Sequence, residues 1–196
     1  MTSTSVNCIV VCYELRIYIA ISWGVVALVL NGHSINMPEW VFYQTNDDFR
    51  YSVGLWKNCT SELDAVFDCV YMSDAPGFIE ATRAMNIIAI ILNVTLLSCL
   101  TWYVAVKENE FLCNSALYEG AAAGISQLVG GVAFAVKYTD LRINNGHLSS
   151  CFFMTVVSSI LLLLTAVFLY LIRNKNVQNN YDTLHTHDVI SQENIK

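Results

Sequence analysis

The chain has 196 residues, of which 55% are hydrophobic and only 13% are charged, and its formal net charge is −6. This composition indicates a membrane protein, and the acidic balance argues against a nucleic-acid partner. No glycine-rich phosphate loop, nucleophile elbow or paired His/carboxylate motif occurs, so the sequence predicts no enzyme, no cofactor and no metal site.

Four apolar stretches predict membrane-spanning helices at about 15–34, 84–106, 112–136 and 148–172. The second and fourth carry no charged residue over 23 and 25 positions, and roughly 20 apolar residues are enough to cross the hydrocarbon core. The first is the weakest, and a cleaved signal peptide is its alternative. That alternative is disfavoured because no small-residue cleavage site follows.

The third stretch contains one charge, Glu119, which we expect to snorkel or to face the bundle as a partner of Arg16. Gly120 and Gly124 in the same stretch favour close packing within the chain over a dimer interface. No helix shows a polar stripe that would line a substrate path, which disfavours a transporter. The polar tail, residues 174–196, is expected to be disordered.

The loop between the first two stretches, residues 35–83, contains Cys59 and Cys69. Zinc would need about two further ligands nearby, and a catalytic redox pair is normally Cys-x-x-Cys. A disulfide between Cys59 and Cys69 remains, which requires an oxidising compartment. Asn58-Cys59-Thr60 is an N-glycosylation acceptor, and acceptors are modified only on the lumenal or extracellular side. Both features predict that this loop is extracellular.

Three segments of this loop read as strands because they are rich in aromatic and β-branched residues: 40–44, 51–56 and 65–71. A Cys59–Cys69 bridge would then join neighbouring strands of one antiparallel sheet. Basic residues are divided evenly between the two sides, so they do not decide the orientation. The loop cysteines and the acceptor asparagine place both termini in the cytosol, with a short second outer loop at 138–147.

The first loop also carries the pattern of a known family. Met37-Pro38-Glu39-Trp40, Gly54-Leu55-Trp56 and the two cysteines resemble the claudins, the peripheral myelin protein and the epithelial membrane proteins. The residues that match the family signature are Trp40, Gly54, Leu55, Trp56, Cys59, Cys69 and Arg83. The resemblance implies an all-α transmembrane four-helix bundle with a small extracellular antiparallel β-sheet, formed mainly by the first outer loop. The whole chain, 1–196, would be one such domain.

The same resemblance suggests a protein of lateral cell–cell contacts in the plasma membrane, assembling with claudin-like proteins in the same and the facing membrane. The alternatives are an epithelial-membrane or myelin-type membrane organiser and a calcium-channel γ-like auxiliary subunit. Trp40 and Trp56 are expected to be structural, wedging the sheet against the bilayer interface. Arg83 is expected to hydrogen-bond loop carbonyls.

Residues 33–83 contain eight acidic and three basic residues. Such a surface attracts cations, and Asp64 and Asp68 near the second cysteine are candidates for charge selectivity, although an ordinary solvated acidic surface is the preferred alternative. Cys113 is a candidate for palmitoylation, as are Cys8 and Cys12, with plain reduced thiols equally compatible. The terminal Lys196 does not suit an apolar PDZ groove, so we expect no direct PDZ binding.

Overall fold

The computed structural model describes residues 3–44, 49–62, 68–106, 110–141 and 146–193. Its long helices are α1 (Ser3–Asn36), α2 (Gly77–Val106), α3 (Glu110–Lys137) and α4 (Ser150–Glu193). Each of the four contains a segment that is long and apolar enough to cross a membrane, in agreement with the four predicted spans.

Helix α2 begins at Gly77, seven residues before the start expected near residue 84. Pro76 stands directly before it, and the N–H groups of Ile79 and Glu80 donate to the Pro76 carbonyl at 2.8 and 3.2 Å. A proline suits this place because its missing N–H would have no helical partner, and Glu80 complements the positive end of the helix dipole. The added turns place Arg83 beside the sheet.

Helix α4 continues to Glu193, so the prediction of a disordered tail from residue 174 is wrong. No glycine or proline occurs between Ser150 and Glu193, so this part of the chain lacks the two residue types that are least favourable inside a helix. Helix α1 likewise begins at Ser3, well before the start expected near residue 15.

The structure describes a sheet of five strands where the sequence predicts three. They are β1 (Val41–Gln44), β2 (Phe49–Val53), β3 (Lys57–Glu62), β4 (Asp68–Tyr71) and β5 (His147–Leu148), in the order β4-β3-β2-β1-β5 with antiparallel neighbours. The last strand comes from the α3–α4 connection, which otherwise contains a short 3-10 helix (Tyr138–Leu141). The α1–α2 and α3–α4 connections therefore form one sheet.

Glycines of α3 bring this helix close to its neighbours. A Cβ atom at Gly120 would lie 2.7 Å from a methyl group of Leu96 on α2, and one at Gly124 would lie 2.8 Å from Leu163 on α4. Neither distance leaves room for a methyl group. The small residues thus serve packing inside the bundle, as expected.

Amide and hydroxyl side chains lie buried between the helices. Asn31 donates to the Asn86 carbonyl at 3.5 Å, and Asn93 donates to the Gly24 carbonyl at 3.2 Å, so α1 and α2 are joined twice. The Ser158 hydroxyl on α4 also donates to a carbonyl of α1 at 2.8 Å. These residues come from several helices and converge in the bundle, and α2 alone contributes buried Thr82, Asn86 and Asn93.

Candidate functional site: the disulfide-linked sheet

The predicted disulfide is confirmed. Cys59 on β3 and Cys69 on β4 are directly opposite each other in the antiparallel pair, and their sulfur atoms are bonded. Cys59 is buried, whereas Cys69 is exposed with the rest of β4. The bridge therefore ties the last strand of the first loop to the middle of the sheet.

Trp40 joins the sheet to the bundle. Its side chain is fully buried, its indole N–H donates to the Ser34 carbonyl of α1 at 2.9 Å, and its ring packs edge-on against Phe134 (4.9 Å) and Phe152 (6.3 Å). Its role is structural, as expected, although it contacts helix side chains inside the protein core and is not exposed at the bilayer interface. Its aromatic partners on α3 and α4 have no distinguishing signal in the sequence.

Gly54 lies where the chain between β2 and β3 passes against the end of α1. A Cβ atom there would lie 2.5 Å from the Pro38 Cα and 2.8 Å from the Met37 carbonyl oxygen, both backbone atoms that cannot swing aside. The Gly54 N–H also donates to the Lys57 carbonyl at 2.9 Å, and Leu55, next in the chain, is fully buried. Only glycine allows this approach of two backbones.

Arg83 of α2 forms a second attachment between the helices and the sheet. Its Nε donates to the Leu55 carbonyl at 2.6 Å, and one terminal nitrogen donates to the Met72 carbonyl at 3.4 Å. The guanidinium also lies over the Trp56 ring, 4.6 Å from its centroid. One side chain thus contacts the residues just before β3 and just after β4, and it makes the bonds to loop carbonyls that the sequence predicts.

A groove of about 410 Å³ lies between the sheet and the chain segments that precede α2 and follow α3. Its lining includes Asn58 of the glycosylation acceptor, which is exposed, and Tyr43 and Tyr51, whose rings stack at 4.7 Å. Burial raises the pKa of Tyr43, and the neighbouring Tyr51 adds to the shift, so the Tyr43 hydroxyl stays protonated at neutral pH. The tyrosine pair is a feature that the sequence analysis did not single out, although cross-strand aromatic pairs are common in sheets.

Strand β4 forms one end of the described sheet, and all four of its residues are exposed. Asp68 begins it, and Val70 and Tyr71 are 67% and 71% exposed. The structure thus places the second candidate for charge selectivity on this strand. The first, Asp64, lies outside the described residues, as does Lys196.

The predicted pairing of Glu119 with Arg16 is wrong. Glu119 lies beside the Cys99 thiol of α2, and one of its carboxylate oxygens is buried without a hydrogen-bond partner. Within the described residues, Glu119 and Arg16 form no ion pair. The reason is position, because Glu119 is directed towards α2 while Arg16 belongs to α1.

Cys113, the candidate for palmitoylation, is buried with 8% of its surface exposed, so an acyl chain would reach it only after the start of α3 had shifted. Cys8 and Cys12 lie in the first turns of α1. Within the described residues, no three His, Cys, Asp or Glu side chains group closely enough to hold a metal ion.

The chain matches the family model described as PMP-22/EMP/MP20/Claudin family over residues 12–170. No curated protein matches it significantly. The matched region runs from α1 to α4 and includes the whole sheet with its disulfide. Four membrane-spanning helices, the sheet formed by the loops between them and this match agree, and the chain is a tetraspan membrane protein that belongs to the PMP-22/EMP/MP20/Claudin family.

Proposed function

We propose that this chain is a claudin-like protein of cell–cell contacts, with the sheet outside the cell and both termini in the cytosol. The Cys59–Cys69 disulfide supports this orientation, because such bonds persist in oxidising compartments. The chain would act through binding and assembly, without catalysis.

The observation that carries the proposal is the exposed end of the sheet. Strand β4 has no neighbour on one side within the described residues, and it exposes Val70 and Tyr71. An exposed strand edge offers unpaired N–H and C=O groups to another chain, and exposed apolar side chains favour burial against a partner. We infer that the partner is a claudin-like protein, a copy of this chain or a relative, in the same or the facing membrane.

The acidic surface suggests a finer property of such contacts. Asp68 is exposed at the start of β4, and Asp64 lies four residues before it in the sequence. If a narrow path runs along β4, these carboxylates favour cations over anions, most strongly at low ionic strength. Dilution potentials across an expressing cell layer should shift towards lower cation preference in the Asp64→Asn, Asp68→Asn double variant. An unchanged potential would mean that these carboxylates do not set selectivity.

The function is tested by the distribution of a tagged full-length protein in contacting epithelial cells, with two matched variants. Val70→Lys places a charge on the exposed end of the sheet, and Thr139→Lys places the same charge on an exposed residue of the α3–α4 connection. We expect the unaltered protein and Thr139→Lys to concentrate where two expressing cells meet. Val70→Lys should reach the surface and spread evenly.

An even distribution of the unaltered protein would contradict the junction role and favour a myelin-type membrane organiser. Co-purification with the pore subunit of a channel would instead support the γ-like auxiliary role.

A further inference from the structure

The groove beside the sheet has an aromatic wall. Tyr43 of β1 and Tyr51 of β2 are paired across the two strands, and their rings stack with 4.7 Å between centroids and 6° between planes. Paired residues of antiparallel strands point to the same face of a sheet. Both tyrosines line the groove and are half-buried, so a ligand in the groove contacts the outer part of the stacked pair.

The other walls of the groove are mostly apolar and contain one full charge. Four apolar side chains line it, those of Val53, Met72, Pro76 and Leu141. Among the described lining residues, Asp74 is the only charged one. The volume of about 410 Å³ is within the range of small-molecule sites, roughly 300–1,000 Å³.

The charge distribution around the groove favours a positive ligand. Residues 33–83 contain eight acidic and three basic residues. None of the three bases, Arg50, Lys57 and Arg83, is among the described residues that line the groove, and the last two lie over aromatic rings elsewhere. The resulting negative potential raises the local concentration of cations.

A quaternary ammonium group suits this lining better than other cations do. Calcium takes about six to eight oxygen ligands, whereas the described lining supplies a single carboxylate, that of Asp74. A primary ammonium carries N–H donors that each need an acceptor. A quaternary ammonium has no N–H donor, so its methyl groups can pack on Val53 and Met72 while its charge is attracted to the faces of the tyrosine rings.

We propose that the groove binds a quaternary ammonium group, supplied either by soluble choline or by the headgroup of a choline lipid. Both sources present the same trimethylammonium group. The lipid source follows from position, because Pro76 directly precedes the candidate span Gly77–Val106, and Leu141 lies in the 3-10 helix directly after α3. The inference rests on the sheet and on the spans beside it, and on no junction role.

The test measures the binding of choline to the full-length protein by isothermal titration calorimetry in a neutral maltoside detergent. All versions carry Asn58→Gln, so that no sugar at this acceptor shares the groove. The reference compound is 3,3-dimethylbutan-1-ol, in which a carbon atom replaces the nitrogen of choline and removes the charge but keeps the shape. Choline should bind roughly three- to thirtyfold more tightly than this alcohol, the factor expected for a cation over an aromatic ring.

Two pairs of variants assign the contacts. Tyr51→Leu removes the aromatic ring and should weaken choline binding roughly three- to tenfold, whereas Tyr51→Phe keeps the ring and should bind choline unchanged. Asp74→Asn removes an exposed carboxylate of the groove and should weaken choline binding roughly two- to fivefold. Asp68→Asn removes an exposed carboxylate of β4 that does not line the groove and should leave binding unchanged.

Lipid nanodiscs distinguish the two sources of the ammonium group. In phosphatidylcholine nanodiscs, headgroups that enter the groove compete with soluble choline, whose apparent affinity should then be at least about threefold lower than in detergent. Equal affinities in nanodiscs and in detergent would support the site and assign it to soluble choline.

The proposal is overturned if choline and the neutral alcohol bind equally in detergent, or if choline does not bind. It is also overturned if Tyr51→Leu keeps the Cys59–Cys69 bond in non-reducing peptide maps and binds choline as tightly as the version with Tyr51. Cellular distribution judges the junction role separately, so a failure to bind choline would leave that role standing.

Discussion

Replacing Arg83 by leucine removes the side chain that holds both ends of the β3–β4 hairpin. The shortest of its contacts, 2.6 Å to the Leu55 carbonyl, is a hydrogen bond from a charged donor, which typically contributes about 1.5–3 kcal/mol. The 3.4 Å bond to Met72 is weaker, and the contact with Trp56 adds about 0.5–1 kcal/mol. Since the three contacts share one side chain and are not additive, we expect opening of the sheet to become easier by about 2–4 kcal/mol.

Hydrogen exchange measured by mass spectrometry on the protein in nanodiscs resolves the sheet from the helices. Each 1.4 kcal/mol corresponds to a tenfold change, so the amides of β2 and β3 should exchange up to roughly 30- to 1,000-fold faster in Arg83→Leu. Arg83→Lys keeps the charge but loses the planar guanidinium with its fixed N–H donors. We expect it to lower the free energy of opening the sheet by about half as much as Arg83→Leu does. Peptides from the interior of α4 should be unchanged in both variants.

The reasoning about Arg83 is refuted if the leucine variant is folded and exchanges its β2 and β3 amides within about twofold of the unaltered protein, a difference of less than roughly 0.5 kcal/mol. The reasoning is also refuted if Arg83→Lys and Arg83→Leu lose equal protection from hydrogen exchange. The positive charge that lysine keeps near the Leu55 and Met72 carbonyls would then contribute nothing.

Three further substitutions test the attachment of the sheet and the packing of the bundle. Gly54→Ala forces a methyl group against the backbone of Pro38 and should destabilise the protein by about 1–3 kcal/mol, seen as a lower melting temperature in detergent. Trp40→Phe leaves the Ser34 carbonyl without its indole donor and should lower stability by about 1–3 kcal/mol, whereas an unchanged melting temperature would mean that this bond contributes nothing. Gly124→Ala should reduce the yield of folded monomer, because the added Cβ meets a leucine of α4. A variant that folds normally as a monomer but no longer dimerises would instead indicate that Gly124 belongs to a dimer interface.

Residue patterns with a strong local signal were predictable. The spans follow from long uncharged stretches, and the disulfide follows from the position of Cys59 and Cys69 in one polar loop. Strand β3 was not predicted because its sequence, Lys57–Glu62, is mostly polar and lacks aromatic residues. It pairs on both sides, with β2 and β4, and backbone pairing of this kind leaves little trace in composition.

Long-range contacts account for the rest of what sequence patterns did not predict. Strand β5 has only two residues and exists because His147 and Leu148 pair with β1. The groove depends on the meeting of the first loop with Leu141 in the 3-10 helix after α3. The aromatic partners of Trp40, Phe134 and Phe152, lie on helices that follow roughly 100 residues later. Spacing along the chain contains no signal for any of these contacts.

The hydrogen bonds between α1 and α2 have a consequence for how the protein enters the bilayer. The buried amide of Asn93 donates to the Gly24 carbonyl of α1 at 3.2 Å, whereas the buried amide of Asn86 donates to the Thr82 carbonyl of its own helix at 2.9 Å. If α2 moved alone from the translocon into lipid, the Asn93 amide would lack its partner on α1, and an unpaired amide in an apolar medium costs about 2–7 kcal/mol. We therefore expect α1 to stay at the translocon until α2 arrives, so that the two helices partition into the membrane as a hydrogen-bonded pair. Tertiary structure would then begin to form before synthesis of α3 and α4 is complete.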